Sequence, residues 1–160
     1  MTVQRLRVAA YAVCIRDERV LLTHFASPDG TDRYWSLPGG GIEHAEDPID
    51  AVVREVSEES GYQVEVDRLL GVDSRTRRVN WGAPGGTELH SVGVFYCVRL
   101  TGGELRHEID GSSDQAAWFS LTEVPHLQRA SLVDVGLELE RTRPADGHVQ
   151  PVPVSGLLRC

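Results

Sequence analysis

The stretch GGGIEHAEDPIDAVVREVSEESGY, Gly39 to Tyr62, opens on three glycines and closes on three glutamates crowded ahead of a fourth glycine. Asp47 followed by Pro48 reads as a helix start. A short carboxylate suits the N-cap, and a proline in the first turn loses no hydrogen bond. Gly61 reads as the stop. At about 100° per residue, Ile49, Val52, Val53 and Val56 share one side, a core stripe. Glu55, Glu58 and Glu59 share another, with Ala51 as their small neighbour. Carboxylates there face the negative end of the helix dipole, at a cost of about 0.3–1 kcal/mol each when exposed. Like charges three or four residues apart add a few tenths more. A solvated acidic face is the plain reading. The other is a hard divalent cation, since Mg²⁺ takes oxygen ligands and would remove the repulsion.

Upstream, Gly39, Gly40 and Gly41 free the backbone and let a ligand approach closely. From Gly40 there are five residues to Glu46 and seven more to Arg54, and the chain then runs Arg-Glu-Val-Ser-Glu-Glu-Ser-Gly-Tyr. This resembles the Nudix box: Gly, five residues, Glu, seven residues, Arg-Glu, an aliphatic, any residue, Glu-Glu, any residue, Gly, an aliphatic. Gly40, Glu46, Arg54, Glu55, Glu58, Glu59 and Gly61 fill its fixed positions. Tyr62 departs from it, aromatic where the pattern has an aliphatic. The preceding strands and the later phrase AAWFSLTEVP extend the likeness to about Val3–Leu127.

The resemblance implies a Nudix-type α/β/α sandwich: an α/β (α+β) domain with a mixed β-sheet between helices and a loop-helix-loop catalytic box. It also implies a MutT-like hydrolase that cleaves a nucleoside diphosphate-linked compound with Mg²⁺ or Mn²⁺, by water attack at phosphorus. Carried onto this sequence, Glu58 and Glu59 are metal ligands and the carbonyl of Gly40 is a further candidate. Glu55 is either a third ligand or the base that deprotonates the water. Arg54 pairs with a box carboxylate, and Glu46 braces the loop. A nucleotide-sensing Nudix module without catalysis is the alternative, although every box acid is intact. A diphosphate isomerase of the same fold lacks its cysteine and histidine arrangement here.

The rest of the chain fits one domain over 1–142 with a Pro- and Gly-rich tail over 143–160. The tail can cover the sheet, mediate a dimer or move freely. Strands are expected at Val3–Ile15, Arg19–His24, Tyr34–Leu37, Tyr62–Arg78, Leu89–Leu100 and Ala116–Phe119, with Arg16-Asp17-Glu18 as a turn. Further helices are expected at Thr122–Leu127 and Ser131–Arg141. The net charge of −8 argues against a partner such as a nucleic-acid polymer or an anionic membrane. It does not bar a small polyanion held through divalent cations. Three separated cysteines argue against a disulfide framework or cysteine zinc site. No apolar run approaches the length of a membrane span, and no leader is evident, so a cytoplasmic protein is expected. A homodimer is expected by resemblance.

Outside the box, Arg75 and Arg77 share a strand face and can bind phosphate through fork-like hydrogen bonds; a solvated strand end is the plainer reading. Trp81 can stack on a base or close a hairpin. Trp35 is expected to pack. Of the acids before Trp118, namely Glu108, Asp110 and Asp114, the last is the candidate for a further site carboxylate; a polar turn is the alternative. ADP-ribose hydrolases of the family carry a downstream proline, and none occurs between Tyr62 and Ala83. The tyrosine of dinucleotide polyphosphate hydrolases is absent before Tyr96, and the NADH-cleaving signature is missing too. These absences lean toward a nucleoside triphosphate or related diphosphate.

Overall fold

Alternation of apolar and polar residues builds two sheets, which the computed structural model describes over residues 2–80, 82, 84–106 and 113–160. In chain order the elements are β1 (Val3–Val13), β2 (Ile15–Arg16), β3 (Arg19–Ala26), β4 (Arg33–Ser36), β5 (Gly39–Gly41), α1 (Pro48–Ser60), β6 (Tyr62–Val79) and β7 (Thr87–Gly103). β8 (Ser113–Ser120), β9 (Arg129–Ala130), α2 (Ser131–Thr142) and β10 (Leu158–Arg159) complete the chain. The first sheet runs β5-β1-β7-β6, with β1 parallel to β7 and the outer pairs antiparallel. The second runs β10-β9-β4-β3-β2, with β8 also on β3. Asp17 and Glu18 both take positive φ, as a two-residue turn between β2 and β3 requires.

Alternate residues of each central strand point to opposite faces, and the two helices take one face each. Ala10, Ala12 and Cys14 of the first strand segment, with Leu21, Tyr96 and Val98, pack under Ala51, Val52 and Val56 of α1. Val13, Leu22 and Phe95 pack under Val133, Val135 and Leu139 of α2. Each fully buried Val, Leu or Phe among them contributes about 1.5–3 kcal/mol. The mixed α/β/α arrangement expected from the box is therefore the one observed.

Several local expectations need correction. Ile49 is exposed, whereas Ala51 is fully buried, so the packed stripe of α1 is rotated toward the carboxylate side. Thr122–Leu127 holds only a short 3-10 turn at Val124–His126, because Pro125 removes a donor from so short a segment. The glycine run is itself a short strand, Gly39–Gly41, paired with Ala9–Tyr11. Trp35 packs edge-on against Phe119, with centroids 4.6 Å apart, as its packing role anticipated. Cys14, Cys97 and Cys160 are all free. Among the described residues no helix is long and apolar enough to cross a membrane. The segment after α2 runs back along the domain: the Gly147 carbonyl accepts from Val72 N–H at 3.0 Å, and β10 pairs with β9.

Candidate active site

The box begins where β5 leaves the sheet and ends at the C-terminus of α1. Asp47 caps the helix by accepting from Ile49 N–H at 2.9 Å, and Gly61 closes it in the left-handed conformation at φ 78°. A Cβ at Gly61 would stand 2.4 Å from the Glu104 carbonyl, so a side chain is excluded there by space as well as by φ. Tyr62, the departure from the pattern, has a partner. Its ring stands edge-on to Trp118, and its hydroxyl accepts from the Trp118 indole N–H at 3.1 Å.

The carboxylates divide into two groups. Glu59 is 6% exposed and turns into the domain, where one carboxylate oxygen accepts from Gly39 N–H at 2.9 Å and lies 3.5 Å from the Thr23 hydroxyl. Glu55 and Glu58 face Arg54, which donates to them at 3.0 and 3.2 Å. The same guanidinium grips Glu46 with two bonds, Nε to Oε1 at 2.7 Å and Nη2 to Oε2 at 3.0 Å. It also donates to the Gly41 carbonyl at 3.2 Å, while Glu46 accepts from Glu43 N–H at 2.9 Å. Arg54 thus ties the glycine loop, Glu46 and two helix carboxylates together. Much of the crowding cost is therefore offset by a built-in cation and one backbone amide. Among the described residues no three acidic, histidine or cysteine side chains stand ready around one point.

The Arg54 hydrogen bonds hold the Glu46 carboxyl down at about 2, against an ordinary 4.5. The bonding to Glu46 raises Arg54 further above its already high range. The depressed acid fixes the sign of a pH effect: its contribution to stability is complete above about 4.5 and is lost as pH falls toward about 2. The melting-temperature gap between the wild-type chain and Glu46→Gln should therefore be widest above 4.5 and shrink below it. A gap independent of pH across that window would contradict the pairing.

Beside the box a cavity of about 320 Å³ runs from Gly39 and Glu59 to Arg7, Arg75 and Arg77. Phe25 and Tyr34 line it as a stacked pair, with centroids 4.9 Å apart and planes at 26°. Burial pushes the Tyr34 hydroxyl above its ordinary pKa, partly opposed by the nearby Arg77 and Arg7. Arg75 and Arg77 do share a face, but they differ. Arg75 is engaged by Asp73 at 3.5 Å and by the Ser131 hydroxyl, whereas Arg77 donates to a main-chain oxygen of Cys160 at 3.4 Å. Trp81, Glu108, Asp110 and the side chain of Asp114 lie outside the described residues. Sequence reading missed Arg7, Phe25 and Tyr34. Arg7 reaches the cavity through pairing between strands distant in the sequence, and Phe25 and Tyr34 through the register of two consecutive strands.

The NUDIX domain profile matches residues 5–136. The chain belongs to the NUDIX family. Among similar NUDIX proteins is the human 8-oxo-dGDP phosphatase NUDT18, 37% identical over 60% of this chain and 27% of that protein. Another is the ADP-ribose pyrophosphatase of Methanocaldococcus jannaschii, 37% identical over 58% of this chain and 50% of that one. The chain thus spans half the length or less of these curated relatives. A solved NUDIX hydrolase from Nitrosomonas europaea is 28% identical, with a TM-score of 0.72 over 86% of this chain and 89% of that one. The elements of this NUDIX domain therefore have the arrangement of a solved relative over most of both chains.

Proposed function

We propose that this NUDIX chain is a metal-dependent pyrophosphohydrolase that cleaves a nucleoside diphosphate-linked substrate by water attack at phosphorus. The observation that carries this reading is the position of Glu59. It is a buried carboxylate, fastened to the Gly39 amide, at the end of a cavity lined by arginines and stacked aromatics. Relatives named for 8-oxo-dGDP and ADP-ribose support a nucleotide-type diphosphate as the substrate class.

The donor set fits a hard divalent ion. Glu55, Glu58 and Glu59 offer oxygen, as does the carbonyl of Gly40, and a Cβ at Gly40 would stand only 2.5 Å from a Glu55 oxygen. The glycine is thus what lets the Glu55 carboxylate lie against the loop. These four groups would hold Mg²⁺ or Mn²⁺, which neutralises diphosphate charge and lowers the pKa of bound water. Arg54 keeps Glu55 and Glu58 in register through its anchor on Glu46. A carboxylate within hydrogen-bond reach of the attacking water takes its proton. The Phe25–Tyr34 pair offers a flat apolar surface to a base, and the arginines hold the remaining phosphates.

Incubating the chain with nucleoside triphosphates, nucleotide sugars, ADP-ribose and dinucleotides, with and without magnesium, and identifying products by mass tests the reading. Magnesium-dependent release of a nucleotide product is expected for at least one compound. Binding without turnover of any of them would indicate a nucleotide-sensing module instead.

A further inference from the structure

The register of the first sheet sets four arginines on one face. Arg7 pairs with Ser91, which pairs with Arg75; Arg5 pairs with Leu89, which pairs with Arg77. Residues aligned across neighbouring strands project to the same side, so the four form a two-by-two array around Leu89 and Ser91. Its sides are roughly 10 Å across the strands and roughly 6.5 Å along them. In a chain of net charge −8 this is a local reversal of sign. Like charges gathered on one sheet face destabilise it.

Asp73 engages Arg75, Asp32 lines an adjoining recess with Tyr34 and Arg77, and Glu59 accepts from Gly39 at the far end. Arg7 donates to the Tyr11 hydroxyl at 3.2 Å, a neutral acceptor, and Arg77 to a main-chain oxygen of Cys160 at 3.4 Å. Arg7 also reaches the box loop, with one Nη atom 4.0 Å from where a Gly41 Cβ would stand. The array therefore runs from the edge of the box into the cavity, opposite the stacked Phe25 and Tyr34. Guanidinium forks match phosphate oxygens two at a time.

We propose that Arg7 and Arg77 form an anion site of their own, which selects substrates carrying a phosphate group beyond the linkage that is cleaved. The proposal rests on the hydrolase reading for its biological meaning, but binding at the site needs neither metal nor turnover. The fit is to a nucleotide whose ring lies on Phe25 and Tyr34 and whose additional phosphate meets the arginines. Arg75, already engaged by Asp73 and Ser131, stiffens the wall between them.

Calorimetric titration of inorganic phosphate into the full chain, in metal-free buffer of low ionic strength, tests this. Saturable uptake is expected, weakened about tenfold or more in Arg7→Gln and separately in Arg77→Gln, as loss of a charge-assisted pair implies. Arg78→Gln, altered on the exposed opposite face, should bind as the wild-type chain does. Arg7→Lys and Arg77→Lys keep the charge without the fork, so they retain part of the uptake and report even if a glutamine variant unfolds. Absence of uptake by the wild-type chain would overturn the proposal. So would uptake that none of the Arg7 or Arg77 substitutions weakens. A chain that turns over nucleotides yet takes up no phosphate loses only this proposal. One that takes up phosphate yet turns over nothing loses only the hydrolase reading.

Discussion

Glu59→Gln is expected to lower kcat by about a hundredfold or more while the chain still folds. Glutamine has the same shape, and its amide oxygen can still accept from Gly39 N–H, so the loop keeps its anchor. What disappears is the negative charge on a side chain only 6% exposed. Neutralising diphosphate charge is worth several kcal/mol, and each 1.36 kcal/mol is about tenfold in rate. Glu58→Gln should lower kcat comparably, although Glu58 is half exposed and rests on Arg54. Steady-state kinetics beside thermal melts separates the two quantities. Near-wild-type kcat in both variants would reject these carboxylates as metal ligands. Crowding alone would have the same substitutions stabilise the metal-free chain. With Arg54 already balancing Glu55 and Glu58, that gain should be small.

Gly40→Ala should remove activity by a different route, through Glu55. The new methyl group would stand 2.5 Å from one Glu55 oxygen, 2.6 Å from its carboxyl carbon and 2.8 Å from the other oxygen. That obstacle is the end of a flexible side chain, so the carboxylate swings away and the backbone stays. A displaced base or ligand costs about 10²–10⁴ in kcat, with little change in melting temperature. Gly39→Ala makes the contrast. Gly39 has φ 150°, and its Cβ would fall 2.2 Å from the Ala10 backbone oxygen, so strand pairing itself must shift. That variant should lose stability as well as activity. Because Gly40→Ala already displaces Glu55, adding Glu55→Gln should cost little more, the non-additivity expected of groups in contact. Full additivity in the double variant would place the effect of Gly40→Ala elsewhere.

The box was legible because its information is local. Asp47, Pro48 and Gly61 bound one helix, and a 23-residue pattern from Gly40 to Tyr62 carries the carboxylates on it. The same locality produced the errors. A helical projection places side chains around an axis but does not say which sector meets the sheet, so Ile49 and Ala51 exchanged roles. It also placed three glutamates together, whereas Glu59 turns inward to an amide that arrives from β5. The arginine array was half visible, as Arg75 and Arg77 on one strand. Its other half depends on β1 lying parallel to β7, a pairing that joins residues more than eighty positions apart. Phe25 and Tyr34 are only nine positions apart, but their stacking depends on the register of β3 with β4, which the composition of the connecting loop does not fix.

Magnesium titration calorimetry on the wild-type chain, alone and with a nucleotide present, decides whether Glu55, Glu58 and Glu59, with the Gly40 carbonyl, hold a divalent cation. Saturable uptake that Glu58→Gln and Glu59→Gln abolish or sharply weaken is the predicted result. No uptake under either condition, or uptake indifferent to both substitutions, would contradict it.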